Sequence, residues 1–154
     1  AYNEAWLRGI RKKLGLTHVN DTELTRTAQS LFDVLTRERL DYTGTFVTLT
    51  RIAQPDGVRP VPESEALRDW IETWLQLGPD GAVMREHNPV YIPRNHHVQR
   101  ALDEVLRGNR ELFDELLGAV SHPTRFTPEY AHLETPGEPA GGTPGGRFVT
   151  YCGT

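Results

Sequence analysis

Few side chains in this 154-residue chain combine the types and spacing that chemistry requires. The tightest grouping is Arg94-Asn95-His96, directly after Pro93. A guanidinium, an amide and an imidazole at the entrance of a helix can hold an anion against its unpaired N–H groups. The reading preferred for the same three groups is a structural knot in which each polar group satisfies another. Five histidines, His87, His96, His97, His122 and His132, gather in the second half. Metal ligands on a helix sit three or four residues apart, or in an HExxH pattern. Adjacent helical residues point roughly 100° apart, so His96 and His97 do not easily converge on one ion. No metal ligand is assigned, and the histidines are expected at a helix start or in solvent.

Two further features call for the same weighing. Gly137–Gly146 is rich in glycine but has neither GxGxxG nor GxxxxGK[ST] spacing, and Arg147 is the one nearby base. It reads as a linker, not a phosphate cradle. Cys152 stands third from the end. It is either an apolar anchor for the tail or an accessible thiol that forms a reversible disulfide with a partner outside the chain. No serine or cysteine sits in a nucleophile–base pattern. No residue is assigned a catalytic role.

Composition narrows the classes. Hydrophobic residues at 37% and charged residues at 25% describe an ordinary globular protein. With 17 basic and 21 acidic residues interspersed, the net charge of −4 supplies no basic stripe for nucleic acid. No apolar run approaches the roughly 20 residues of a membrane span, and Ala1–Leu14 lacks the apolar core of a signal peptide. A single cysteine excludes an internal disulfide framework and a cysteine-rich zinc site. A reducing, cytoplasmic setting is expected. Helical patterning begins at Ala1 without an initiator methionine, which fits a piece of a longer polypeptide, made by design or by proteolysis.

The elements that must position these groups are helices. Trp6, Leu7, Ile10 and Leu14 form an apolar stripe with Arg11, Lys12 and Lys13 in its last turn and Gly15 as cap. Asn20 and Glu23 form a capping-box start for a helix that buries Leu24, Ala28, Leu31, Phe32 and Leu35 and runs to about Arg39. Asp41 can cap a third segment with Tyr42, Phe46, Leu49 and Ala53 on one face. Its β-branched Thr43, Thr45, Val47, Thr48 and Thr50 favour a strand, so pattern and propensity disagree. A loop follows over Gln54–Pro62. Pro62 suits the first position of a helix facing inward with Leu67, Trp70, Ile71, Trp74 and Leu75 and stopped at Gly78-Pro79.

After an Asp80-Gly81 turn, Pro89 and Pro93 make Met84–His97 irregular or extended in its middle. Two helices joined by a short connection follow, with Val98, Leu102, Val105 and Leu106 on the first and Leu112, Phe113, Leu116, Leu117 and Val120 on the second. The fold expected is all-α, an antiparallel bundle of about five to six helices. It divides into a helical domain over 1–133 and a Gly/Pro-rich linker and docking tail over 134–154, tipped by Phe148-Val149-Thr150-Tyr151-Cys152.

Several segments together carry a resemblance. Lys12-Lys13-Leu14-Gly15-Leu16 and Asp41-Tyr42-Thr43 come first. Next are the block Met84-Arg85-x-x-Asn88-Pro89-x-Tyr91-Ile92-x-Arg94-Asn95-His96 and the terminal Tyr151-Cys152-Gly153-Thr154. In combination they resemble the C-terminal part of the selenoprotein O / YdiU family, in which many animal members carry selenocysteine where this chain has Cys152. The resemblance implies a longer, kinase-like protein that transfers AMP from ATP to Ser, Thr or Tyr hydroxyls of protein substrates with Mg or Mn. It also implies that the catalytic residues precede this chain. ATP and metal then belong to the full-length protein, and the partners of this chain are the upstream kinase-like core and, through it, protein substrates. The Gly/Pro-rich stretch departs from an acidic, tyrosine-containing segment common in the family.

Two other readings compete. One is a stand-alone helical interaction module that binds through Trp70 and Trp74 or through Phe148 and Tyr151. The other is a small enzyme built on Arg94, Asn95 and the histidines.

Overall fold

The structure, a computed structural model, describes residues 2–55 and 60–136. The turn at Asp56-Gly57, the stretch Gly137–Gly146, the apolar tip and Cys152 lie outside the described residues. The all-α expectation holds, with seven α-helices and one 3-10 helix among the described residues and no strand.

The capping chemistry sets most of the boundaries. α1 (Tyr2–Lys13) gives way to Gly15 in the left-handed region at φ 68°. Arg11 turns its guanidinium back onto the carbonyls of Leu16 and Val19, so the cation expected near the helix end also secures the following loop. α2 (Asp21–Glu38) starts where Asn20 Oδ1 accepts the Glu23 N–H at 2.9 Å. α3 (Tyr42–Ile52) resolves the conflict between pattern and propensity in favour of the helix. Asp41 accepts the Gly44 N–H at 2.6 Å, and Thr50 returns its hydroxyl to the Phe46 carbonyl. Burial of Phe46, Leu49 and Ile52 then outweighs the few tenths of a kcal/mol per residue, roughly, by which β-branched side chains disfavour helix.

α4 (Glu65–Gln76) begins later than expected. Ser64, not the region of Pro62, caps it, accepting the Leu67 N–H at 3.1 Å. A helix also stands where only a turn was expected. Asp80 accepts from both Ala82 and Val83 and so starts the short α5 (Gly81–His87), which buries Met84. α6 (Asn95–Leu106) and α7 (Glu111–Ser121) follow as the expected helical pair, and the 3-10 helix (Pro128–Glu134) packs on α7. The expected linker residue Glu134 is the last residue of that helix.

Two apolar clusters result. The larger draws on α1 to α5, centred on Leu14, Leu24, Leu31, Phe46, Trp74 and Met84. Trp70 and Trp74 are core residues with their rings stacked 5.7 Å apart, and both indole N–H groups are satisfied. Trp70 donates to Ser30 Oγ at 3.0 Å and Trp74 to the Leu14 carbonyl at 3.0 Å. A partner-binding surface built on these tryptophans is therefore ruled out. The smaller cluster holds Tyr91, Ala101, Leu116, Ala119 and Leu133. The expected faces of α6 and α7 are only half covered, because Leu102, Leu106 and Leu117 are exposed.

Glycines mark where elements press together. A Cβ at Gly15 would lie 2.7 Å from the Asp80 backbone nitrogen, and the positive φ adds strain. A Cβ at Gly9, within α1, would meet nothing within 4 Å. Gly15→Ala is expected to destabilise by about 2 kcal/mol or more. Gly9→Ala is expected to stabilise by up to about 1 kcal/mol. Urea unfolding of both variants checks the pair, and equal effects of one sign would contradict the packing described.

Candidate functional site

The Asn88–His97 block that stood out in the sequence lies along the seam between the two clusters. Asn88 is 2% exposed, so its amide must find partners within the fold. Its Nδ2 donates to the Lys13 carbonyl and to Thr50 Oγ1, both at 2.9 Å, and its Oδ1 accepts from Lys13 Nζ at 3.4 Å. One side chain thus ties the end of α1 to α3 and to the exit of α5. Lys13 also lies over the Phe46 ring, 5.2 Å from its centroid, and burial lowers its pKa.

Pro89 and Pro93 keep the next residues extended, as expected, and this carries Tyr91 into the second cluster. The Tyr91 hydroxyl donates to the Thr127 carbonyl at 2.8 Å and accepts the Thr127 N–H at 3.0 Å. Together they fix the chain that leads into the 3-10 helix.

Arg94, Asn95 and His96 do not converge on one point. Arg94 precedes α6 and makes a two-pronged ion pair with Asp41, at 2.9 and 2.7 Å. Its side chain is only 9% exposed. The Arg94 hydrogen bond holds the Asp41 carboxyl below its ordinary pKa, with the Gly44 N–H adding to the effect against burial. Asn95 is exposed and His96 half-buried. The guanidinium is therefore committed to a carboxylate inside the chain, which favours the structural knot over an anion site. Its partner Asp41 was missed as part of this cluster. The sequence marked it only as a cap, and 53 residues separate the two.

The histidines come closer than helix geometry alone suggests. The rings of His96 and His97 are 4.0 Å apart, and His132 meets His97 edge-on at 6.5 Å while approaching Glu115 at 3.5 Å. His97 Nε2 is buried without a hydrogen-bond partner. Burial pushes the His97 imidazole below its usual value, and the neighbouring His96, His132, Arg94 and Arg100 push the same way. Among the described residues no group of three or more His, Cys, Asp and Glu side chains is placed to hold a metal ion.

Clefts beside the seam are small. The cleft between α3, α5 and the segment near Phe126 measures about 140 Å³. Pockets for cofactor-sized ligands run to roughly 300–1,000 Å³. Its walls are apolar, from Val47, Val90 and Phe126, with Arg51 and Arg85 also lining it. Arg51 is already paired with both oxygens of Glu134, at 3.0 and 3.1 Å, and lies over the Phe126 ring. Among the described residues no helix is long and apolar enough to cross a membrane.

Two outcomes follow from the seam. Arg94→Ala leaves Asp41 partly buried without its counter-charge and is expected to cost about 2–3 kcal/mol. The double-mutant cycle with Asp41→Asn should return a coupling of about 1 kcal/mol or more; a coupling of zero in urea unfolding would contradict the pairing. His97 has a lowered folded pKa, so its stabilising contribution is complete above the ordinary value of 6.5 and is lost as pH falls through the lower folded value. The unfolding free energy should therefore decline as pH falls from 6.5 toward the lower folded value, and less steeply in His97→Gln. Identical pH profiles for the two proteins would contradict this.

No protein-family model matches the chain. Curated proteins do. Over 99% of its length the chain is 38% identical to the protein nucleotidyltransferase YdiU of Mycobacterium sp. (strain KMS) and 38% identical to that of Cereibacter sphaeroides. It is 32% identical over 97% of its length to the YdiU of Rhizobium etli. The chain spans about a third of the length of these relatives, 32% in each case. Proteins named YdiU are thus homologues of this chain over 97–99% of its length, as the sequence block indicated.

Proposed function

Starting from its homology to one third of the YdiU protein nucleotidyltransferases, we propose that this chain is the helical, C-terminal portion of such an enzyme. Its role is to brace a kinase-like core that precedes it. The full-length protein transfers AMP from ATP to Ser, Thr or Tyr hydroxyls of other proteins, with Mg or Mn neutralising the triphosphate. That chemistry rests on positioning and charge compensation. The single observation that carries the proposal is the 38% identity over 99% of the chain. The arrangement of the seam is in keeping with it: the most specific sequence block is spent on internal ties through Asn88, Tyr91 and Arg94, as bracing requires. The resemblance puts the groups that handle nucleotide and metal upstream, so no step of the transfer is routed through the described residues. A cytoplasmic location is part of the same proposal.

The competing idea of an independent interaction module loses its tryptophan surface to the core. Its other candidate surface, Phe148 and Tyr151, lies outside the described residues.

We further propose that Cys152 regulates the enzyme. Its thiol and an upstream cysteine thiol would be oxidised together to a disulfide, with two protons released and two electrons passed to a peroxide or disulfide oxidant. Incubating the longer protein and the 154-residue chain with α-labelled ATP and Mg tests both ideas. Label should enter protein only with the longer form. Mild oxidation should change that rate in the native sequence but not in Cys152→Ser. Label transferred by the 154-residue chain would place catalysis within it, and an unchanged redox response in Cys152→Ser would remove the regulatory role.

A further inference from the structure

The α6–α7 pair is built with more apolar surface than its own fold uses. In α2 and α4 most of the apolar stripe is buried, with Leu24, Ala28 and Leu31 at 0% exposure and Trp74 likewise. α6 is as clearly amphipathic in sequence, yet Ala101 is its one buried residue. Leu102, at 45% exposure, and Leu106, at 87%, stand one turn apart on the same helix, and Leu117 of α7 is 52% exposed. Between the two helices runs an apolar groove of about 150 Å³, walled by Val98, Leu102, Phe113, Leu117 and Val120. Polar groups contribute almost nothing to its lining, so water gains few hydrogen bonds there, and covering it with apolar side chains is favourable. Scattered exposed leucines need no explanation, but two that wall one groove, with a third one turn beyond Leu102 on α6, do.

We infer that this groove and the Leu102–Leu106 edge form the docking face of the chain for the remaining two thirds of the longer polypeptide, which would cover it with apolar side chains. The inference rests on the proposed function, in which this chain is part of such a protein. Length argues for that occupant: the relatives are about three times as long as the region this chain matches. A bracing segment must bury a face against what it braces. In the larger cluster the leucine and tryptophan side chains are buried or half-buried. The opposite side of α7 is already taken, because Tyr130 of the 3-10 helix closes over Gly118, where a Cβ would come 2.8 Å from its hydroxyl.

The test uses the longer protein with single cysteines introduced as Leu102→Cys and Leu117→Cys, followed by thiol labelling and peptide mass spectrometry. Both positions should label at least about tenfold more slowly in the native protein than in the same variant denatured, because access requires a local opening. Labelling as fast as in the denatured state would overturn the inference. Protection that disappears on dilution would assign the face to a second copy, and protection lost on deleting residues 147–154 would assign it to the tail; either result overturns it. Nucleotidyl transfer measured on the same samples keeps the two ideas apart. Slow labelling without transfer removes the proposed enzyme activity alone, whereas fast labelling with transfer intact removes the docking face alone.

Discussion

A buried primary amide cannot be left without partners, and the structure is organised around meeting that demand at Asn88. Desolvating an unpaired amide costs a few kcal/mol, roughly, more than a single good hydrogen bond returns. Asn88 is matched by a carbonyl from the end of α1, a hydroxyl from α3 and an ammonium group from Lys13. None of these partners is adjacent to it in the chain. Once Asn88 is satisfied, the exit of α5 is fixed, and with it the direction in which Pro89 to Pro93 leave the larger cluster. The second cluster is placed by that exit.

The extended segment then does for the second cluster what Asn88 does for the first. Tyr91 is buried by ring and bound by hydroxyl, and it sets the start of the 3-10 helix. Arg94 reaches back across the seam to Asp41, while Arg51 reaches forward from α3 to Glu134. Two ion pairs of opposite sense along the chain thus span the two clusters. Polar ties of this sort specify one arrangement more than they add to stability, since each must recover the cost of removing charge from water. For the bracing role proposed above, a defined orientation is the property of value, and the exposed α6–α7 face inherits that orientation.

Much of this was legible in residue order. Asn20 with Glu23, Gly15 and the Trp70/Trp74 stripe announced α1, α2 and α4 because caps and periodic burial are local signals. Where the reading fell short, the deciding contacts were distant. α3 looked undecided until Phe46 and Leu49 had a core to enter. α5 was taken for a turn because seven residues are too few for periodicity to show, although Asp80 followed by Gly81 was already a start signal. For Arg94 the residue order suggests a structural knot but not its partner, because nothing nearby in sequence reveals the carboxylate it meets. The face of α6 was assigned to a core that this chain does not provide.

Asp41 has a consequence of its own. One carboxylate serves two clients, the backbone N–H that opens α3 and the guanidinium that steadies the entrance to α6. Asparagine could keep the first and lose much of the second, and serine could do the same. A substitution here therefore reaches two helix starts at once: one that preserves the cap still strips the arginine of its counter-ion, so the two sites are coupled through a single side chain.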